Sequence, residues 1–209
     1  MKKIIAMMMV GVCMMGLAAC GKAEPQAKKT TETMPSQTES PTEEPKTEVK
    51  NGNNKIVVYF SATGTTKVVA QKMANVLKTE ALEIVPKEKY SSDDLDYSKD
   101  DCRANKEMKD ENSRPEIKNN LSKVAKYDTI YIGFPIWWGT APRIIQTFFD
   151  SNDLRGKTVY LFCTSGGSGI EESVSDLQNA YKEVNIVSGQ RFAADVSENE
   201  ISNWLRGLK

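Results

Sequence analysis

A five-residue apolar run, Ile56 to Phe60, places the strongest constraint on what this chain can fold into. Its residues are β-branched or aromatic and the run is too short for a helix, which predicts a strand buried on both faces. Six small residues, 61–66, follow it, and the apolar residues of the next segment, 69–77, recur at the spacing of one helix face. The stretch therefore predicts a strand, a hydroxyl-rich loop and a helix in succession.

The loop between this strand and helix is suited to binding an anion. Backbone N–H groups at the start of a helix have no partner within the helix, and the positive end of the helix dipole points to the same place. The loop adds four hydroxyl groups and one glycine, so no lysine is required. The alternative is an ordinary strand–helix turn in which Ser and Thr only cap the helix.

Four more apolar segments alternate with helical patterns and are also predicted to be strands. They are Ala81–Pro86, Thr129–Phe134, Thr158–Cys163 and Asn185–Val187. Two Ser-x-x-Glu pairs, Ser168/Glu171 and Ser197/Glu200, have the spacing of a capping box at a helix start. Ala141-Pro142 is expected to begin another helix. Apolar strands alternating with helices predict a doubly wound α/β domain, a parallel sheet of order 2-1-3-4-5 with helices on both faces.

A long polar segment, residues 87–126, separates the second and third predicted strands. Its acidic residues are typical of a solvated surface, and Leu121, Val124 and Ala125 predict a helix at its end. Tyr90 and Tyr97 are alternatively candidates for the edge of a ligand site, because long loops are often functional.

Three loops rich in ligand-binding residue types, 61–66, 135–140 and 164–169, follow predicted strands one, three and four. In a doubly wound sheet these strand ends lie together, and ligands bind at the switch point between strands one and three. The first loop suits a phosphate, the second offers the flat surface of Trp137 and Trp138, and the glycines of the third allow close approach to a ring edge. Flavin mononucleotide (FMN) has a phosphate at one end and a planar ring at the other. Alternatively, the tryptophans cover the core and the glycine loop is a flexible turn.

The three loops also resemble those of a known family. Ser61-x-Thr63-Gly64-x-Thr66 resembles the phosphate loop of flavodoxins. The segments 133–142 (GFPIWWGTAP) and 164–169 (TSGGSG) are similar to the two ring-contacting loops of a flavodoxin-like family common in bacteria. The resemblance extends over residues 55–209, with the motifs in the order of the family, and it implies a flavodoxin-like fold that binds FMN.

The resemblance also implies which residues form the FMN site. The phosphate would be held through backbone N–H and hydroxyl groups of the first loop, Ser61, Ala62, Thr63, Gly64, Thr65 and Thr66. The isoalloxazine ring would be lined by Pro135, Ile136, Trp137, Trp138 and Gly139. Its pyrimidine end would be bordered by Thr164, Ser165, Gly166 and Gly167.

The beginning of the chain has the pattern of a targeting segment. Two lysines precede a continuous small and apolar run, Ile4–Ala19, which ends in Leu-Ala-Ala-Cys with the cysteine at position 20. This resembles a bacterial lipoprotein signal, and the resemblance implies cleavage before Cys20, a diacylglycerol on its sulfur and a place on the extracytoplasmic face of the cell membrane. The alternative is an uncleaved membrane helix. Residues 20–54 are predicted to be a disordered tether, and residues 55–209 the folded domain.

Composition excludes several function classes. The chain contains no histidine, which excludes Ser–His–Asp and Cys–His nucleophile systems and histidine-based zinc sites, so the chemistry is expected to belong to a cofactor. Residues 55–209 carry 21 Lys and Arg against 22 Asp and Glu, a balance that does not indicate nucleic-acid binding. The two cysteines of this region, Cys102 and Cys163, are expected to be free thiols.

The sequence therefore predicts an electron-transfer protein that binds FMN, is anchored to the membrane surface, and exchanges electrons with a redox partner protein or a small-molecule donor or acceptor. Two other functions remain open. One is a flavin or quinone reductase of the same fold that uses NAD(P)H, and the other is a non-redox binding lipoprotein with a repurposed pocket.

Overall fold

A five-stranded parallel sheet forms the centre of the computed structural model, which describes residues 54–208. The strands are β1 (Lys55–Tyr59), β2 (Ala81–Glu83), β3 (Thr129–Pro135), β4 (Thr158–Thr164) and β5 (Asn185–Phe192). Their order is β2-β1-β3-β4-β5, and every neighbouring pair is parallel. The predicted fold class and strand order are confirmed. The predictions of a signal peptide at 1–19, of lipidation at Cys20 and of a tether before Asn54 lie outside the described residues.

Five α-helices cover the two faces of the sheet. They are α1 (Thr65–Leu77), α2 (Arg103–Lys109), α3 (Arg143–Ser151), α4 (Glu171–Ala180) and α5 (Glu198–Gly207). Successive residues of a strand point to opposite faces, so Val57 and Tyr59 pack with α1 and α5, while Ile56, Val58 and Phe60 pack with α2, α3 and α4. The buried, apolar character of β1 follows from this double cover.

Two strands differ in length from the sequence prediction. β2 ends at Glu83, earlier than the predicted end at Pro86, and Pro86 forms only an isolated bridge with Ile117. β5 continues to Phe192, five residues beyond the predicted end. Its added residues are mostly polar and several are exposed, because β5 lies at the edge of the sheet, bonds only to β4 and is less completely covered than a central strand.

The two predicted capping boxes have different outcomes. The prediction at Ser197 is confirmed, because its hydroxyl accepts a hydrogen bond from the Glu200 N–H while the Glu200 carboxylate accepts one from the Ser197 N–H. The prediction at Ser168 is wrong, since α4 begins after Ile170 with no side-chain cap. The Ser168 carbonyl instead accepts a hydrogen bond from the Ser165 hydroxyl, which closes the glycine-rich loop on itself. Helix α3, predicted to begin at Ala141-Pro142, begins at Arg143 and has Pro142 as its N-cap.

The segment between β2 and β3 is more ordered than a solvated loop. It contains α2, whose N-cap is Cys102: the Cys102 sulfur accepts a hydrogen bond from the Asn105 N–H over 3.4 Å. The helix predicted near Leu121 is a short 3-10 helix, Ser122–Lys126. Within residues 54–208, no helix combines the length and apolar character needed to cross a bilayer.

Both cysteines of the domain are buried free thiols. Burial in β4 raises the pKa of Cys163 from 9.0 to about 12. The unfolded chain therefore loses this proton near pH 9 while the folded chain keeps it until about pH 12. The contribution of the Cys163 thiol to the free energy of unfolding is therefore fully present below pH 9 and is lost as the pH rises toward 12.

We therefore expect the free energy of unfolding, measured by urea titration, to fall as the pH rises from about 9 toward 12. The decline should be shallower in Cys163→Ala, because this variant lacks the thiol whose pKa differs between the folded and unfolded chain. An equal decline in the two proteins would show that Cys163 does not contribute.

Candidate functional site

Thr164, the last residue of β4, joins the three loops at the carboxyl edge of the sheet. Its hydroxyl shares a hydrogen bond of 2.8 Å with the hydroxyl of Thr66 in the first turn of α1. Its carbonyl accepts a hydrogen bond of 3.0 Å from the N–H of Ile136, in the loop after β3. Thr164 and Thr66 are 5% and 1% exposed, so this connection is shielded from water. The structure thus brings together the three loops that the sequence predicts as a single site.

The first loop presents the N-terminus of α1 without a side-chain cap. Its N-cap is Gly64, with φ of 95°, a conformation that a glycine adopts without steric cost. The Ser61 hydroxyl accepts a hydrogen bond from the Gly64 N–H over 3.1 Å and so closes the loop. The first N–H groups of α1, from Thr65 onward, remain available to a ligand, as at any helix start.

A cavity of about 280 Å³ lies between the first and third loops. Its lining consists of small residues, Thr63, Thr65, Thr164, Ser165, Gly166 and Ala194. None of the six is charged, so any anion held there is held by hydroxyl groups, backbone N–H groups and the dipole of α1. Among residues 54–208, no group of three or more acidic or sulfur side chains has a geometry that could hold a metal ion.

The second loop contains a tight turn. Trp137 and Thr140 exchange two backbone hydrogen bonds, of 2.9 and 3.0 Å, and the two residues between them have positive φ, 50° for Trp138 and 85° for Gly139. Two central residues with positive φ are the mark of a type I′ turn. Gly139 adopts this conformation freely, but Trp138 does so at a cost, because positive φ is rare for a bulky side chain.

The two adjacent tryptophans have different environments. Trp137 is only 4% exposed, and its ring contacts the rings of Phe60 and Tyr90 edge-on at centroid distances of 5.6 and 5.1 Å. The Trp138 side chain is at the surface, with 59% of the residue exposed. Trp137 thus covers the core, as one of the two sequence interpretations has it, and Trp138 is the indole that offers an open flat surface to a ligand.

Helix α4 contacts the same turn through two carboxylates. Glu172 lies so close to Gly139 that a Cβ on the glycine would be 2.8 Å from its Oε2. The Thr140 hydroxyl donates a hydrogen bond of 2.7 Å to Asp176. Negative charge therefore lies on the α4 side of the turn, away from the uncharged cavity at the start of α1.

The remaining predicted site residues shape the loops. Ala62 and Ile136 are partly buried against the hydrophobic core, and Pro135 ends β3. Gly167 has open space where a side chain would be. These positions support the backbone of the site, and their contact with a ligand remains a prediction.

Two residues at or behind the site, Ala194 and Asn105, were not predicted to take part in it. Ala194 joins the cavity because β5 is longer than predicted and carries its own carboxyl end to the same edge. Asn105 accepts a hydrogen bond of 2.8 Å from the Trp138 indole N–H, and Tyr90 packs on Trp137. Tyr90 was flagged in the sequence as a possible ligand edge, but nothing in the sequence pairs Asn105 with a tryptophan 33 residues away.

Residues 54–208 match the family model described as flavodoxin. The chain belongs to the flavodoxin family. Among solved structures, this flavodoxin domain is similar to a protein from Bacteroides uniformis that is provisionally assigned as a flavoprotein, with 43% identity, 73% of this chain and 97% of the other aligned, and a TM-score of 0.71. A corresponding protein from Bacteroides eggerthii is 40% identical over 75% of this chain and 99% of the other, also with a TM-score of 0.71.

A flavoprotein from Lactobacillus acidophilus, solved in complex with FMN, is 26% identical over 73% of this chain and 98% of the other, with a TM-score of 0.58. No curated protein matches the chain. The matches to these solved structures span nearly the full length of those relatives.

Replacing three glycines of the flavodoxin site with alanine tests how much its turns depend on backbone conformation. We expect Gly64→Ala and Gly139→Ala each to lower the free energy of unfolding by about 1–2 kcal/mol, because both positions have positive φ. The Glu172 carboxylate near Gly139 adds little, since it ends a flexible, exposed side chain that can move aside.

Gly166→Ala is the matched control for both variants. Its φ is not positive and a Cβ there meets no atom within 4 Å, so we expect a change within about 0.5 kcal/mol. Urea unfolding of the three variants measures the difference. A loss in Gly166→Ala as large as in Gly64→Ala would contradict the role of backbone strain.

Proposed function

We propose that this flavodoxin domain binds FMN at the carboxyl edge of its sheet and carries electrons between redox partners. The observation that carries the proposal is the junction at Thr164, which places an uncapped helix start and an exposed indole at one edge. FMN as the cofactor is supported by membership of the flavodoxin family and by the Lactobacillus acidophilus relative in complex with FMN.

The residues at the start of α1 fit a phosphate. The cavity beside them is small, about 280 Å³, and is lined by hydroxyl groups and backbone without a charged side chain. A phosphate binds at a helix start because several N–H groups converge there and the helix dipole favours negative charge. Thr63 and Thr65 line the cavity and are placed to donate their hydroxyl groups, whereas the Thr66 hydroxyl shares a buried hydrogen bond with Thr164.

The Trp137–Thr140 turn and the glycine-rich loop fit a planar ring. Trp138 offers a broad apolar surface, and the backbone of residues 164–167 is open enough for a ring edge to approach. FMN supplies the redox chemistry when it is bound, and the chain supplies binding, orientation and electrostatics. The carboxylates of Glu172 and Asp176 on the far side of the turn would disfavour an anionic ring.

The phosphate assignment is tested by comparing FMN with riboflavin, which lacks the phosphate. We expect the purified chain to quench the fluorescence of both flavins, to bind FMN more tightly, and to become yellow. Thr65→Ala should weaken FMN binding about 10- to 100-fold, because a hydrogen bond to a charged group is lost, and should leave riboflavin binding unchanged.

Thr147→Ala is the control, since this α3 hydroxyl bonds only to the Arg143 carbonyl within the helix. Equal affinity of the unaltered chain for FMN and riboflavin would contradict a phosphate site at α1. A chain that takes up neither flavin would favour the non-redox binding protein, and steady NAD(P)H consumption with a quinone would favour the reductase.

We also propose that the chain is anchored at the extracytoplasmic membrane surface through Cys20. The support is the sequence pattern alone, a basic start, an apolar run and Leu-Ala-Ala-Cys. Cys20→Ser should abolish labelling by a fatty-acid analogue, because the sulfur that would carry the diacylglycerol is absent. Cys13→Ser is the control, because this cysteine lies inside the apolar run, and its labelling should match the unaltered chain.

A further inference from the structure

Asn105 makes a set of hydrogen bonds that connects a buried amide to the exposed tryptophan of the site. It belongs to α2, in the segment between β2 and β3, and is 0% exposed. Its amide nitrogen donates to the carbonyls of Lys99 and Tyr97, over 2.9 and 3.4 Å. Its Oδ1 accepts from the indole N–H of Trp138 over 2.8 Å. The amide has two donors and one acceptor oxygen, and all three groups are used.

The hydrogen bond to Asn105 fixes the orientation of the Trp138 ring at a position where packing is limited. The residue is 59% exposed, so much of its side chain is not held by neighbouring atoms. Its φ of 50° places the backbone in a conformation that is costly for a bulky residue. An observed outlier of this kind, held by a dedicated hydrogen bond at the edge of a site, points to a functional role for the side chain.

The rest of the segment gives Asn105 a rigid support. The Arg103 guanidinium pairs with Glu107 over 2.6 Å and lies 4.1 Å from the centre of the Tyr90 ring, so it ties α2 to Tyr90. The Tyr90 hydroxyl donates to the same Glu107 over 2.6 Å. Tyr90 in turn contacts Trp137, so the segment supports both tryptophans, Trp137 through a ring and Trp138 through an amide.

We propose that Asn105 is a positioning residue for flavin: it fixes the Trp138 indole in the orientation that receives the isoalloxazine ring. The inference rests on the proposed FMN site and adds a residue that lies in none of the three loops. A ring that is already oriented loses less conformational freedom when a ligand stacks on it, so the bond raises affinity without touching the ligand.

The experiment compares Asn105→Leu with Asn119→Leu by fluorescence titration with FMN and with riboflavin. Asn119 is the matched control because it lies in the same segment and makes two similar bonds, to the Glu83 carbonyl and from the Val85 N–H, but does not contact Trp138. Asn105→Leu should weaken the binding of both flavins by about the same factor, roughly tenfold, because the effect acts on the ring and not on the phosphate. Asn119→Leu should bind both flavins like the unaltered chain.

A second variant separates positioning from stability. Trp138→Phe removes the N–H together with part of the ring surface, so it should lose at least as much affinity as Asn105→Leu even if Asn105→Leu folds poorly. The double variant should lose no more than Trp138→Phe alone, because Asn105 acts only through the indole N–H. Asn105→Leu and Asn119→Leu should both lower the unfolding temperature, and Asn105→Leu should lower it more, because Asn105 is fully buried with three hydrogen bonds and Asn119 is partly exposed with two. Only Asn105→Leu should affect flavin.

Three results would overturn the inference: Asn105→Leu binding flavins as Asn119→Leu does, a loss confined to FMN, or full additivity in the double variant. In each of these the unaltered chain still binds flavin, so the proposed function stands. An unaltered chain that binds neither flavin overturns the proposed function and this inference with it.

Discussion

The candidate site depends on one buried contact, the hydrogen bond between the hydroxyls of Thr66 and Thr164. Thr164 ends a central strand that is paired with β3 and β5 along its length, so its position is set by the most extensive pairing in the sheet. Through its hydroxyl it locates the first turn of α1, and through its carbonyl it locates the loop after β3. Thr66 and Thr164 are almost inaccessible to water. Replacing either threonine would therefore leave the hydroxyl of the other buried without its partner, which lowers the free energy of unfolding. The relative placement of the three loops is therefore a consequence of sheet pairing, whereas hydrogen bonds within each loop shape its turn.

The segment between β2 and β3 adds a second layer of control to this frame. A doubly wound sheet needs only a helix between these strands, but here some forty residues intervene, with α2 as their single α-helix among those described. Tyr90, Arg103 and Glu107 form a compact polar and aromatic cluster that packs on Trp137. Burial and the hydrogen bond to Glu107 raise the pKa of Tyr90, so its hydroxyl stays protonated and keeps donating throughout the neutral range. The segment is thus built to hold the tryptophan turn, while most of its acidic residues face solvent.

The sequence predicted those parts of the structure that a repeating pattern encodes. Apolar runs such as Ile56–Phe60 and the alternation with helical faces are enough to predict a parallel, doubly wound sheet, and strand ends then predict which loops meet. What it missed depends on contacts between distant residues. Asn105 reads as an ordinary polar residue in a charged stretch until the fold brings it to Trp138. The polar residues that extend β5 lack the apolar pattern of a buried strand because an edge strand does not need one. Ser168 has capping-box spacing, but its carbonyl is taken by Ser165 within the loop.

The distribution of charge distinguishes the two ends of the site. The cavity at α1 contains no charged side chain, so an anion there interacts with fixed dipoles whose strength falls off within a turn of the helix. At the other end, Glu172 and Asp176 bring carboxylates to the tryptophan turn, while the domain as a whole is close to neutral. Fixed dipoles can hold a phosphate without a long cationic side chain. Such a side chain would also offset the negative charge of the carboxylates at the tryptophan turn. In the proposed FMN complex the two ends would therefore act separately: α1 would hold the phosphate, and the exposed carboxylates of α4 would add a solvent-screened penalty to negative charge on the ring.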